Sequence, residues 1–142
     1  MKKLLNAAFA YGVAGIVMGV VFREATKFLH YTAPTALGRV HTHLFALGML
    51  FCLVLLALEK CFGLWADGKF KGVFLLYNIG VVGAAVMMSL RGFAQVFGLA
   101  LAKGPDAALS GVTGLFHILL TVALVRLFLL LGRRVAACQQ TV

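Results

Sequence analysis

Four long apolar runs constrain this chain more than any other feature of its sequence. Each run comes close to the roughly 20 residues that an α-helix needs to cross a bilayer, and basic or turn-forming residues separate the runs. They cover residues 4–22, 37–62, 70–90 with a helical pattern that continues to 101, and 108–131. Spans of this length must be helical, because hydrocarbon offers backbone polar groups no water to bond. The sequence therefore predicts an all-α, integral membrane four-helix bundle, antiparallel up-down-up-down, as one domain over residues 1–142.

The composition excludes a soluble globule. Hydrophobic residues make up 63% of the chain and charged residues only 12%, and the mean hydropathy is +1.03. The net charge of +9 would suggest nucleic acid as the partner of a soluble protein. Here the basic residues lie at the ends of the apolar runs, where they bind lipid headgroups. The predicted partner is the lipid bilayer and not nucleic acid.

The basic residues also predict an orientation. With four spans, both termini and the second loop share one side of the membrane. That side carries Lys2, Lys3, Lys60, Lys69, Lys71, Arg133 and Arg134. The other side carries Arg23, Lys27, Arg39, Arg91 and Lys103. The positive-inside rule then places both termini in the cytoplasm. Arg126 lies inside the fourth span and is interpreted as snorkelling to the cytoplasmic interface.

Histidines within the second and fourth spans indicate a functional site, because ionisable side chains in hydrocarbon are unfavourable unless they have a partner. At 1.5 Å per residue, His43 lies roughly 9 Å in from the outer face and His117 roughly 9 to 13 Å. His41 points about 200° away from His43 on a regular helix, so these two cannot easily bind one ion together. We expect one of them to face the bundle interior and the other to face a different partner.

Two imidazoles at equal depth on facing helices are what a b-type haem needs, because its iron takes axial nitrogens on both faces of a flat apolar ring. The haem propionates are anionic and should meet cations near the water interface, where Arg91, Arg39 and Arg23 are available. The sequence thus predicts a haem b site ligated by His43 and His117. The plain alternative is that each histidine hydrogen-bonds a carbonyl or hydroxyl in an ordinary bundle.

The whole chain resembles a family of small, uncharacterised four-span bacterial membrane proteins through residues 22–24, 40–44 and 47–49. This resemblance implies the fold and a place in the bacterial inner (cytoplasmic) membrane, but no activity. The segment His41-Thr42-His43, followed by an apolar run and Gly48, is also similar to the H-x-H helix of the haem–copper oxidase catalytic subunit. That resemblance implies that His43 pairs with His117 on a low-spin haem and that His41 is free for another ligand. The chain lacks that family's copper-ligand motifs, so oxygen reduction is not implied.

Three functions remain open at this stage. The first is a membrane haem protein that transfers electrons with a quinol or a periplasmic redox partner, or that binds a small ligand. The second is a haem-free bundle that handles a metal ion or small anion through His41, His43, His117 and Arg91. The third is a structural or accessory subunit, and a homo-oligomer is compatible with each. The sequence contains no hydrolytic or phosphoryl-transfer site, so a redox role is the enzymatic candidate.

Overall fold

Four long helices form the protein, and the computed structural model describes residues 1–139. The helices are α1 (Lys2–Phe28), α2 (Leu37–Phe62), α3 (Phe70–Val96) and α4 (Lys103–Gln139). A single 3₁₀ turn, Leu64–Ala66, lies between α2 and α3. No strand occurs within the described range, so the predicted all-α fold is confirmed.

The outward-facing side chains of the bundle suit a lipid environment. All four helices are long and apolar enough to span a membrane, as in a multi-pass membrane protein. Phe9, Phe28 and Phe128 are exposed to 72%, 79% and 69%. Between residues 1 and 139, no polar or charged residue is fully buried. An apolar surface of this extent is rare on soluble monomers and is typical of membrane contact.

Successive helices run antiparallel. On α1, a Cβ added at Gly15 would lie 2.9 Å from the Phe45 ring, and a Cβ added at Gly12 would lie 3.1 Å from Met49. The order of contacts is thus reversed along α2, and the glycines of α1 make room for the side chains of α2. The same reversed order relates α3 to α4. Gly80 of α3 packs against Leu120 of α4, whereas Gly83, which comes later on α3, packs against Phe116, which comes earlier on α4.

The helix bounds follow from local sequence. Helix α2 covers the predicted range 37–62, while α1 continues through the charged residues beyond 22 to Phe28. Helix α3 ends at Val96, and Gly98 then takes a φ of +65°, a conformation that glycine adopts at little cost. Helix α4 begins earlier than predicted, at Lys103. Pro105 fits this first turn because proline lacks the N–H that the first turn leaves unbonded.

The two ends of the bundle differ in what they carry. We call the end formed by residues 29–36 and 97–102 the histidine end, since the histidine-bearing parts of α2 and α4 lie toward it. The opposite end, formed by residues 63–69 and the two termini, is called the tryptophan end after Trp65.

A close backbone approach fixes where α2 begins. A Cβ added at Gly92 would meet the backbone N of Leu37 and would lie 2.5 Å from its Cβ and 2.6 Å from its Cα. Nearby, the Gln95 Oε1 accepts hydrogen bonds from the Ala36 backbone N–H at 2.8 Å and from the Thr35 hydroxyl at 3.0 Å. These contacts tie the first turn of α2 to the last turns of α3, and they set the height at which the following histidines lie.

Candidate functional site

The structure brings His43 of α2 and His117 of α4 together. Their ring centroids lie 6.5 Å apart and their ring planes are nearly perpendicular, at 88°. The two residues thus lie at the same level of the bundle on neighbouring helices, and their depth in a membrane stays a prediction. His43 is half-buried and His117 is exposed at the bundle surface.

Both rings are held in the same way. The Nδ1 of His43 lies 2.9 Å from the Arg39 carbonyl oxygen, and the Nδ1 of His117 lies 2.8 Å from the Thr113 carbonyl oxygen. A carbonyl can only accept a hydrogen bond, so each Nδ1 is the protonated nitrogen. In a neutral imidazole the other nitrogen, Nε2, then carries a free lone pair. The site therefore presents two Nε2 atoms suited to bind a metal, each oriented by a backbone hydrogen bond.

The histidine pair lies where α2 and α4 pack least extensively. Helix α2 packs against α4 mainly through its last part, Phe51–Phe62, whereas its first part, Leu37–His43, packs mainly against α1 and α3. The ring contact of His43 with His117 joins this first part to α4, and α3 holds α4 at the histidine end. Because His117 is exposed, an apolar group could approach its ring from the bilayer.

His41 faces the opposite side of α2. Its ring stacks on Phe22 of α1 with a centroid distance of 6.3 Å and meets the edge of Phe45 at 6.4 Å. Its Nδ1 is buried and has no hydrogen-bond partner within residues 1–139. The prediction that His41 and His43 serve different sides of the helix is confirmed.

Arg91, predicted as a propionate partner, is engaged by α4. Its Nη2 donates to the Asp106 carboxylate at 2.8 Å and to the Ser110 hydroxyl at 2.7 Å. This contact connects the last turns of α3 with the first turns of α4. Sequence reasoning missed it, although Arg91 and Asp106 flank the same short loop and carry opposite charges.

The other two arginines are placed differently. Arg23 belongs to α1, which packs on the His41 side of α2, and its Nε lies 3.9 Å from Glu24. Arg39 lies one helical turn before His43 and is exposed. Its guanidinium forms no hydrogen bond or ion pair with any residue from 1 to 139. Arg39 is therefore the cation beside His43 that is available to an anionic group.

A π-helical segment, Leu44–Leu50, begins directly after His43. Backbone hydrogen bonds of a π-helix span five residues and not four. The Phe51 N–H accordingly donates to the Ala46 carbonyl, five positions back. The Tyr77 hydroxyl of α3 donates to the Leu47 carbonyl at 2.8 Å. Segments of this kind occur frequently at functional sites. The predicted helix over 37–62 is therefore not regular throughout.

A cavity of about 540 Å³ opens on the other side of α2, among α1, α2 and α3. Its wall is almost wholly apolar, and its few polar groups are Tyr11, Asn78 and Ser89. The Tyr11 hydroxyl donates to the Asn78 side-chain oxygen at 2.7 Å, and the Asn78 amide donates to the Phe74 carbonyl at 2.6 Å. This cavity could not be predicted from the sequence, because the residues that line it lie far apart along the chain.

The family model described as "Protein of unknown function (DUF2871)" matches residues 1–134. The chain belongs to this family. The DUF2871 match includes both histidine-bearing helix ends, and the description of the family assigns no activity. No curated protein and no solved structure matches the chain. The resemblance to a small uncharacterised family is thus confirmed, whereas the likeness of the H-x-H segment to haem–copper oxidases is not shown.

Proposed function

We propose that this DUF2871 protein binds haem b in the membrane, between α2 and α4, with the Nε2 atoms of His43 and His117 as the two axial ligands. The geometry of the histidine pair supports this proposal. Two imidazoles bound to one metal at about 2 Å place their ring centroids roughly 6 Å apart, and the centroids here are 6.5 Å apart. Both Nδ1 atoms already have backbone acceptors, which is how proteins usually orient a coordinating histidine.

The surroundings of the pair also fit such a cofactor. The exposed side of His117 would let a flat apolar ring approach from the lipid side, and Arg39 would meet a propionate. Arg91 would have to leave Asp106 to do so, and we assign it the role of holding α3 against α4. Arg23 lies with His41 and is a weaker candidate. A haem with two axial histidines is a one-electron carrier.

Electron transfer in the bacterial inner membrane is the activity we assign to this site. The apolar cavity beside Tyr11 and Asn78 has the size and the sparse polar groups of a small-molecule site, and it supports a quinol as the electron donor.

A periplasmic redox partner would meet the histidine end, because the basic residues favour both termini in the cytoplasm. A topology reporter placed near Lys103 should then report the periplasm, and a cytoplasmic signal there would refute the orientation.

A bare metal ion is less well supported. Within residues 1–139, no three His, Cys, Asp or Glu side chains gather in a way that could hold one. An ion at the pair would thus have two protein ligands, fewer than the three or four that zinc sites use.

The visible spectrum of the purified protein tests the proposal. Protein from haem-replete cells should have a Soret band and sharp reduced α and β bands, and a colourless preparation would refute haem binding. His117→Ala should give a five-coordinate haem or lose it. His117→Met should keep a ligand but raise the reduction potential. The matched control is His30→Ala, which removes a loop histidine and should leave the spectrum unchanged. A six-coordinate spectrum in His117→Ala would exclude α4 as the ligand donor.

A further inference from the structure

A second groove lies at the tryptophan end, between α3 and α4, far from the histidine pair. Its volume is about 480 Å³. On α4 it is lined by residues 126, 129, 130 and 133, which share one helix face by their spacing. The lining combines three cations with apolar side chains and one glycine: Lys69, Arg126 and Arg133 with Val73, Leu129 and Gly72.

The charges in this groove are incompletely compensated. The only carboxylate within reach of its cations among the described residues is Asp67, whose Oδ2 lies 3.3 Å from Arg133. The hydrogen bond from the Lys69 backbone N–H, together with the Arg133 guanidinium, lowers the pKa of Asp67. Arg126 forms no hydrogen bond or ion pair with the described residues. Positive charge therefore remains in the groove after Asp67 has been counted.

The position of Arg126 within an apolar run indicates that its charge has a partner. It lies about 10 Å along the helix axis from Arg133, within an apolar run that ends at Leu131. A guanidinium at that depth is unfavourable without a partner. Gly72 leaves the wall of the groove open beside it, since no atom lies within 4 Å of where its Cβ would be. The groove thus has room for an anionic group that reaches from the interface toward Arg126.

We propose that this groove binds an anionic phospholipid, with the headgroup phosphate held by Arg126, Lys69 and Arg133 and an acyl chain lying against Val73 and Leu129. Basic pockets between membrane helices bind anionic headgroups in this way. A free phosphate ion would contact the cations but would leave the apolar part of the lining without a partner. A phospholipid satisfies the cations and the apolar wall together.

The test compares dioleoylphosphatidylglycerol, dioleoylphosphatidylcholine and inorganic phosphate on the purified full-length protein in detergent. Native mass spectrometry counts retained lipid, and thermal unfolding reports stabilisation. Phosphatidylglycerol should be retained and should raise the Tm, whereas phosphatidylcholine and phosphate should do neither. Equal stabilisation by phosphate would replace the lipid with a free anion and overturn the proposal.

Variants locate the site. Arg126→Gln should weaken phosphatidylglycerol binding about fivefold, the share of one basic residue near an anionic headgroup. Lys71→Gln also removes one positive charge at the tryptophan end, but from a residue outside the groove. This variant should bind phosphatidylglycerol as the unaltered protein does. Equal losses in both variants would indicate general charge attraction and refute the site. Should Arg126→Gln not fold, Lys69→Gln at the helix end replaces it, with the same expected loss.

Discussion

The replacement of Gly92 by Ala should destabilise the fold through a contact that cannot relax locally. The added Cβ would meet the backbone N of Leu37 and lie 2.5 and 2.6 Å from its Cβ and Cα. A flexible side chain could turn aside, but the backbone of α2 can move only by shifting the whole first turn. Overpacking of this kind costs about 1–3 kcal/mol, and the upper half of that range applies because the neighbour is backbone. The better helix propensity of alanine offsets about 1 kcal/mol of this destabilisation.

The expected net loss for Gly92→Ala is therefore about 1–2 kcal/mol. Gly114→Ala is the matched control, since no atom lies within 4 Å of its added Cβ. This variant should gain up to about 1 kcal/mol from helix propensity alone. Reversible unfolding by sodium dodecyl sulfate in mixed micelles, followed by far-ultraviolet circular dichroism, measures both free energies. Shifts of the same sign and size in the two variants would show that α2 does not rest on Gly92, and the reasoning would be wrong.

Three further outcomes are expected from other parts of the fold. His43→Ala should abolish haem retention, whereas His41→Ala should keep the six-coordinate spectrum; equal losses would contradict their separation on two sides of α2. Tyr77→Phe should lower the free energy of unfolding by about 0.6–1 kcal/mol, because it removes the hydrogen bond to the Leu47 carbonyl. The control Tyr31→Phe in the first loop should leave the free energy of unfolding unchanged. The folded pKa of Asp67 lies below its ordinary value of 3.8, so its carboxylate stabilises the fold above that pH. This stabilisation is lost as the pH falls through the lower folded value. Asp67→Asn should flatten the acid limb of the stability profile, and an unchanged limb would exclude this role.

The sequence predicted those parts of the site that depend only on helix start points and rise. Helix α2 begins at Leu37, so counting residues was enough to place His43 opposite His117. The first part of α2 is a regular α-helix as far as His43, so the expected divergence of His41 and His43 also holds.

The parts that the sequence did not predict depend on side chains from distant helices. The π-helical segment contains no proline, and its irregular backbone accompanies a hydrogen bond from Tyr77, 30 residues away from Leu47. The pairing of Arg91 with Asp106 required knowing that α4 begins at Lys103 rather than after it. Residue spacing within one span carries no information about either contact.

The π-helical segment frees the register of α2 from strict dependence on residue number. Such a segment accommodates an extra residue within a helix, so deletion of one residue from Leu44–Leu50 would return this stretch to regular α-helix and leave the parts of α2 on either side facing as they do now. His43 would still face His117 while Phe51–Phe62 stayed in place. Loss of one codon in this stretch would thus spare the histidine pair, whereas loss of one codon from the regular helix Phe51–Phe62 would turn the preceding part of α2 by about 100° relative to the part that follows.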